Sequence, residues 1–197
     1  MAAFPDTACS FLADLSANND RAWFEANRNR YEAEWLQPAI DFVNAQAGGM
    51  AALSPPHRAE ARVNGTIRRL HRDTRFSKDK TPFDPRLHLI FWTGAHPNRS
   101  PAVHIVLHAD RLGMGAGQFA MTAAELESYR SAISENADAR EALAGICDDL
   151  EALGHALTPE TLKRVPRGFE PEGRFETFLK RKGLVVTSSD TRSPLRG

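Results

Sequence analysis

The chain has 197 residues, 42% of them hydrophobic and 25% charged, which suits one ordinary globular domain and excludes disordered, collagenous and fibrous classes. Twenty-five Lys and Arg balance twenty-five Asp and Glu, so a uniformly basic DNA-packaging protein is excluded as well. Cys9 and Cys147 are the only cysteines and form no Cys-x-x-Cys, leaving neither a disulfide framework nor a cysteine-based zinc site. The first residues lack the basic and apolar regions of a signal peptide, and no apolar run reaches the ~18 residues of a membrane span. The expectation is a cytoplasmic protein with no membrane partner.

The N-terminal third reads as helix. Asn18 or Asn19 offers an N-cap, and Asp20 suits the positive end of the helix dipole. Phe24, Tyr31, Trp35, Ala39 and Phe42 then share one helical face, with Trp23 off that stripe and free to line a pocket. Pro38 predicts a kink or the N1 position of a second helix, Gly48-Gly49 predicts its end, and Leu53 to His57 reads as a loop. The middle reads as sheet: Leu87 to Trp92 is an apolar run, and Val103, Ile105 and Leu107 alternate with His104, Val106 and His108. Gly113 to Gly117 follows as a flexible turn or bulged strand. Thr122 and Glu125 form a capping box, Asp138 and Glu141 suggest another, and Thr158-Pro159 resembles an N-cap with Pro at N1. A short helix carrying Phe175, Phe178 and Leu179 stops at Gly183, and Leu184 to Thr187 returns to the sheet. The fold class is α+β: a single domain over residues 1–187, a mostly antiparallel or mixed sheet with helices packed against it, and a flexible tail over 188–197.

Neutral overall is not neutral everywhere. Residues 62–80 carry a net +5, residues 119–160 a net −7, and residues 163–182 a net +4. Such segregation polarises the surface and draws an anionic partner to the basic side. The densest piece is Arg68 to Pro82. Arginine gives planar, two-pronged contacts to phosphate or carboxylate, lysine a mobile point charge, and Thr74 and Ser77 short hydroxyl donors. The pattern reads as an anion site made of Arg69, Arg72, Arg75, Ser77, Lys78 and Lys80. Lys163, Arg164 and Arg167 would assist if the fold brings them close, Arg167 being the residue assigned to the site. It equally reads as a loop neutralised by its own Asp73 and Asp79. Phe76 and Phe83, flanked by bases, suit stacking on nucleobases or pinning the loop to the core, the second being the commoner use.

At this segment the chain resembles a family of bacterial and fungal proteins called domain of unknown function 2461. Phe11-Leu with Leu15, then Asn18-Asn-Asp-Arg-Ala-Trp-Phe24 and Tyr31, resembles the family's opening motif. Arg72-Asp-Thr-Arg-Phe-Ser-Lys-Asp-Lys-Thr-Pro82 is similar to its signature. Leu112 to Gly117 resembles its glycine-rich turn, and Arg164-Val-Pro-Arg-Gly-Phe169 its C-terminal motif. The resemblance implies no established activity. The chain departs from the family at Phe83-Asp84, where Tyr-Lys is usual, and at Glu172-Gly-Arg174, where Asp-His-Pro is common.

Other constellations point less far. His104 and His108 fall on one face of a strand about 13 Å apart, too far for one metal unless the chain bends. His88, nearby in sequence, could join them if it did, but no His-Glu-x-x-His or carboxylate ladder supports a site and no metal is expected. The glycines at 113–117 lack the third glycine of a dinucleotide loop, Gln118 standing there, and no Gly-Lys-Ser/Thr follows, so no cofactor is expected. Neither cysteine has a local basic partner, and Cys147 reads as core.

The leading expectation is a soluble module that binds an anionic, phosphorylated small molecule through Arg68 to Lys80. Long duplex DNA fits a neutral chain with an acidic face less well. Two alternatives stand beside it. One is an enzyme on a phosphorylated or carboxylated substrate, with Asp73 or Asp79 as general base and Arg72, Arg75 and Lys80 stabilising charge. The other is binding of single-stranded nucleic acid or of a protein partner.

Overall fold

The structure, a computed structural model, describes residues 4–97, 99–170 and 173–190. Its architecture is α+β, with five strands, β1 (Leu87–Trp92), β2 (Ala102–Leu107), β3 (Leu112–Gln118), β4 (Ala156–Leu157) and β5 (Leu184–Asp190), in the order β1-β2-β3-β5-β4. The chain forms two compact units, the first built on residues 4–97 and 102–114 with 189–190, the second on 115–188 with 99–101.

In the first unit, helix α1 (Asp6–Ala17) buries Ala8, Phe11, Leu12 and Leu15, spaced three, one and three apart along one face. Helix α2 (Arg21–Ala26) is capped by Asp20, whose side chain accepts from the Trp23 amide at 2.9 Å. The cap is therefore the aspartate, not Asn18 or Asn19. Helix α3 (Arg28–Arg30) runs through a π-helical turn, Tyr31–Leu36, into α4 (Gln37–Ala51). Pro38 stands in the first turn of α4, as expected for the start of a second helix, and a π turn precedes it. That turn loosens the hydrogen-bond ladder where proline supplies no N–H. Gly48 and Gly49 lie inside α4, which ends at Ala51, so they do not terminate it.

The stripe Phe24, Trp35, Ala39 and Val43 packs with Phe11, Leu12 and Leu15 against Leu87, Leu89 and Phe91 of β1 (Leu87–Trp92) and Leu107 of β2 (Ala102–Leu107). Trp23 completes this core from its edge, its ring 6.0 Å from that of Phe11. The two strands pair antiparallel, Leu87 opposite Leu107 and Trp92 opposite Ala102. The outer edge of β1 is covered by irregular chain. The Arg58 amide donates to the Trp92 carbonyl at 2.7 Å, the Ile90 amide to Thr66 at 2.9 Å, and the Arg68 amide to His88 at 2.9 Å. An edge that would otherwise invite a foreign strand is thereby closed, and residues 66–68 are fixed beside β1.

Most of the remaining strand residues belong to the second unit. Of the two expectations for the glycine-rich segment, turn or strand, the structure takes the strand: it is β3 (Leu112–Gln118). Its glycines answer to strand β5 (Leu184–Asp190). A Cβ on Gly117 would lie 2.0 Å from the Leu184 carbonyl oxygen, and one on Gly183 would lie 2.2 Å from that of Phe119. Gly117 also has φ +133°, which side chains rarely tolerate. Helix α5 (Ala123–Glu135) begins with the expected capping box, Thr122 and Glu125 each holding the other's amide. Helix α6 (Ala137–Ala152) is capped by Asn136, which accepts from Ala139 at 3.0 Å, so Asp138 is a first-turn acid instead.

Strand β4 (Ala156–Leu157) pairs antiparallel with β5. The Thr158 amide continues that pairing to Val185 at 2.9 Å, and no helix starts at Thr158-Pro159. A 3-10 turn, Gly173–Phe175, leads into α7 (Glu176–Leu179). Ile133, Ala144, Phe178 and Leu179 form the core here, with Cys147 packed on its flank. Arg130 is buried and donates to the carbonyls of Leu179 and Arg181 at 3.1 and 3.2 Å, tying α5 to the end of α7. The strand β5 takes in Ser188 to Asp190, where a tail was expected to begin, and residues 191–197 lie outside the described residues.

Candidate functional site

The basic motif leaves the first unit as a closed loop. His71 and Phe83 form an antiparallel bridge, the Arg72 amide donates to Pro82 at 2.9 Å, and the Asp84 amide to Leu70 at 2.9 Å. Residues 72–82 thus start and finish at one point on the core. Phe83 anchors that point. Its ring is 1% exposed, stacked 4.4 Å from Phe24 and met edge-on by His71. Asn19 clamps its backbone from both sides, donating to the Phe83 carbonyl at 3.0 Å and accepting from the Phe83 amide at 3.1 Å. Sequence reasoning missed this role for Asn19. The signal was a run of three polar residues, Asn18-Asn-Asp20, where one helix start needs a single cap.

Within the loop each acid holds one arginine. Asp73 takes the Arg75 fork through both oxygens, at 2.9 and 2.7 Å, and also accepts the Arg75 amide at 3.2 Å. Asp79 binds Arg72 at 2.5 Å and the Thr81 amide at 2.9 Å, while Arg72 also reaches the Thr81 hydroxyl. Lys80 Nζ donates to the Thr74 carbonyl at 2.9 Å, the same carbonyl that accepts the Ser77 amide across the turn. These bonds shape the loop without burying it.

The charges follow from the geometry. The Arg75 side chain and amide pull Asp73 down to about 2, and the Thr81 amide with the Arg72 guanidinium pulls Asp79 down to about 2. Both carboxylates are ionised throughout the ordinary pH range, and a carboxyl so acidic is a weak proton acceptor. Arg68, Arg69 and Lys78 have no ion pair among the described residues, and the Lys80 charge meets only a carbonyl. Arg167 belongs to the second unit, next to Gly168 with its φ of +90°. The structure therefore brings Arg69, Arg72, Arg75, Ser77, Lys78 and Lys80 onto one loop and its root.

Phe76 behaves unlike Phe83. It sits in the turn between Thr74 and Ser77 with its ring 95% exposed and the Arg75 guanidinium 5.9 Å from its centre. It pins nothing to the core.

The histidines gather differently from their sequence spacing. His88 Nε2 and His104 Nδ1 are 3.0 Å apart across the β1–β2 pair, while His108 joins Arg111 at the end of β2. Burial, then the proximity of His104, Arg86 and Arg68, pushes His88 down to about 3, and burial lowers His104 too. Among the described residues no group of three or more His, Cys, Asp or Glu is placed to hold a metal, and no helix is long and apolar enough to cross a membrane. Burial raises both cysteine thiols, Cys9 donating to the His108 carbonyl at 3.6 Å, so neither is an activated nucleophile.

A family described as conserved hypothetical protein (DUF2461) matches residues 7–195. The chain belongs to this family. The match takes in both the Asn19 clamp and the loop it secures. No curated protein and no solved structure matches the chain. At the first departure from the family pattern, Phe83 is buried and Asp84 pairs with Arg86 at 2.7 Å. At the second, Glu172 lies outside the described residues.

Proposed function

We propose that this member of the DUF2461 family is a binding module for an anionic, phosphorylated ligand, taken by the loop at residues 72–82 and by Arg68 and Arg69 at its root. One observation carries the reading. Asp73 and Asp79 hold Arg75 and Arg72 in fixed positions at the surface, while Arg69, which also acts on the Asp73 charge from further off, and Lys78 form no direct ion pair among the described residues. A pre-oriented guanidinium loses less conformational freedom when it meets phosphate, and unpaired cations supply the net attraction. Two carboxylates at about 2, each locked to an arginine, favour binding over general-base catalysis.

The test is calorimetric titration with tripolyphosphate. Arg72 and Arg75 brace the loop, so the informative variant is Arg69→Ala/Lys78→Ala, which removes charge and leaves every bond within the loop in place. The wild type should bind with an affinity that falls as salt rises, and the variant should bind at least about tenfold more weakly. Equal binding by both, or none by the wild type, would refute the proposal.

A further inference from the structure

We infer that the ligand is a single strand of nucleic acid, one of whose bases stacks on Phe76. The inference rests on the anion-binding reading and narrows it. Water penalises an apolar ring left 95% exposed, and the loop could have tucked it inward as it does Phe83. Instead the turn from Thr74 to Ser77 carries Phe76 outward, and four loop bonds, two from Arg75 to Asp73, one from Arg72 to Asp79 and one from Lys80 to the Thr74 carbonyl, hold the turn that displays it. Arg75 lies over one side of the ring. A planar partner with a π-face can meet the other side.

The chemistry of the surroundings selects among partners. The neighbours of Phe76 in the chain are Arg75, Ser77 and Lys78, and the Arg75 guanidinium lies 5.9 Å from the centre of its ring, so the ring is a single apolar group in a basic stretch. A protein interface needs a desolvated apolar centre, which one ring so placed does not make. Base stacking needs only the ring, and the phosphates flanking a stacked base would fall to cations of the same loop and its root, here Lys78, Lys80 and Arg69. A mononucleotide is also poorly served: small ligands are held in concave sites that cover most of their surface, whereas Phe76 stands out on an exposed turn. A strand gathers affinity from several such weak contacts in succession. Paired bases within a duplex offer no free face to the ring.

The experiment uses the full chain and four probes: a fluorescein-labelled deoxythymidine dodecamer, an abasic dodecamer of the same charge, deoxythymidine monophosphate and tripolyphosphate. Phe76 packs against no core residue, so Phe76→Ala and Phe76→Trp fold as the wild type does. The dodecamer should bind the wild type, and Phe76→Ala should weaken it by about fivefold to a hundredfold, the range that loss of one base–aromatic stack gives. The abasic strand should bind both proteins alike. Phe76→Trp should restore binding, with its fluorescence quenched by the dodecamer. Equal affinity of wild type and Phe76→Ala for the dodecamer overturns the inference, as does competition by the monophosphate at matched phosphate concentration. In either case, continued binding of tripolyphosphate leaves the anion-binding reading intact. Failure of tripolyphosphate and dodecamer alike removes both.

Discussion

Acidification should cost this protein stability well before its carboxylates titrate, and the His88–His104 pair sets the size of the effect. The two ring nitrogens lie 3.0 Å apart in a half-buried position, with Arg68 and Arg86 near enough to repel a proton. His88 titrates at about 3 in the folded chain, against about 6.5 when unfolded. Between these values the unfolded chain binds a proton that the folded chain refuses, so stability is complete above pH 6.5 and falls as the pH drops below it. The slope approaches about 1.4 kcal/mol per pH unit, and by pH 5 the loss from His88 alone is about 2 kcal/mol. Burial lowers His104 and His108 as well, which adds in the same direction. Asp73 and Asp79, at about 2 when folded, contribute only below about pH 4. Urea unfolding from pH 7.5 to 4.5, on the wild type and on His88→Gln, isolates the effect. The wild type should lose about 2 kcal/mol more than the variant between pH 7 and pH 5. Parallel curves for the two proteins would refute the reasoning.

Other perturbations follow from particular contacts. Asn19→Ala removes both hydrogen bonds to the Phe83 backbone and should cost about 1–3 kcal/mol in urea unfolding. In that variant the amides of residues 72–83 should exchange faster with deuterium than in the wild type. Gly117→Ala drives a methyl into the Leu184 carbonyl at a φ of +133°; it should cost at least about 3 kcal/mol or abolish folding, read as soluble yield and melting temperature. Gly48→Ala meets nothing within 4 Å inside α4 and should raise stability by about 0.5–1 kcal/mol.

What the sequence made legible was whatever is encoded locally. The apolar run at Leu87 to Trp92, the alternation from Val103 to Leu107 and the Thr122–Glu125 box all became the elements their patterns describe. Local patterns failed where the deciding partner is remote. The glycines of β3 left turn and bulged strand both open because their reason is the backbone of β5, some seventy residues on. Gly48 and Gly49 read as a helix end, yet their open surroundings and the packed face around Val43 carry α4 past them. Phe76 and Phe83 have similar basic neighbours and opposite fates. Asn19, sixty-four residues from Phe83 in sequence, fixes one inside, and the self-contained turn from Thr74 to Ser77 holds the other out. Within the loop, the pairing of Asp73 and Asp79 with nearby arginines was visible, since each acid meets a cation only two or seven residues away.

The most direct measurement of the central claim is amide chemical-shift mapping by NMR during titration with tripolyphosphate. The account expects saturable shifts concentrated at Arg68 to Thr81, largest near Arg69 and Lys78, and their loss in Arg69→Ala/Lys78→Ala. Shifts confined to other parts of the chain, or no shifts at all, would contradict it.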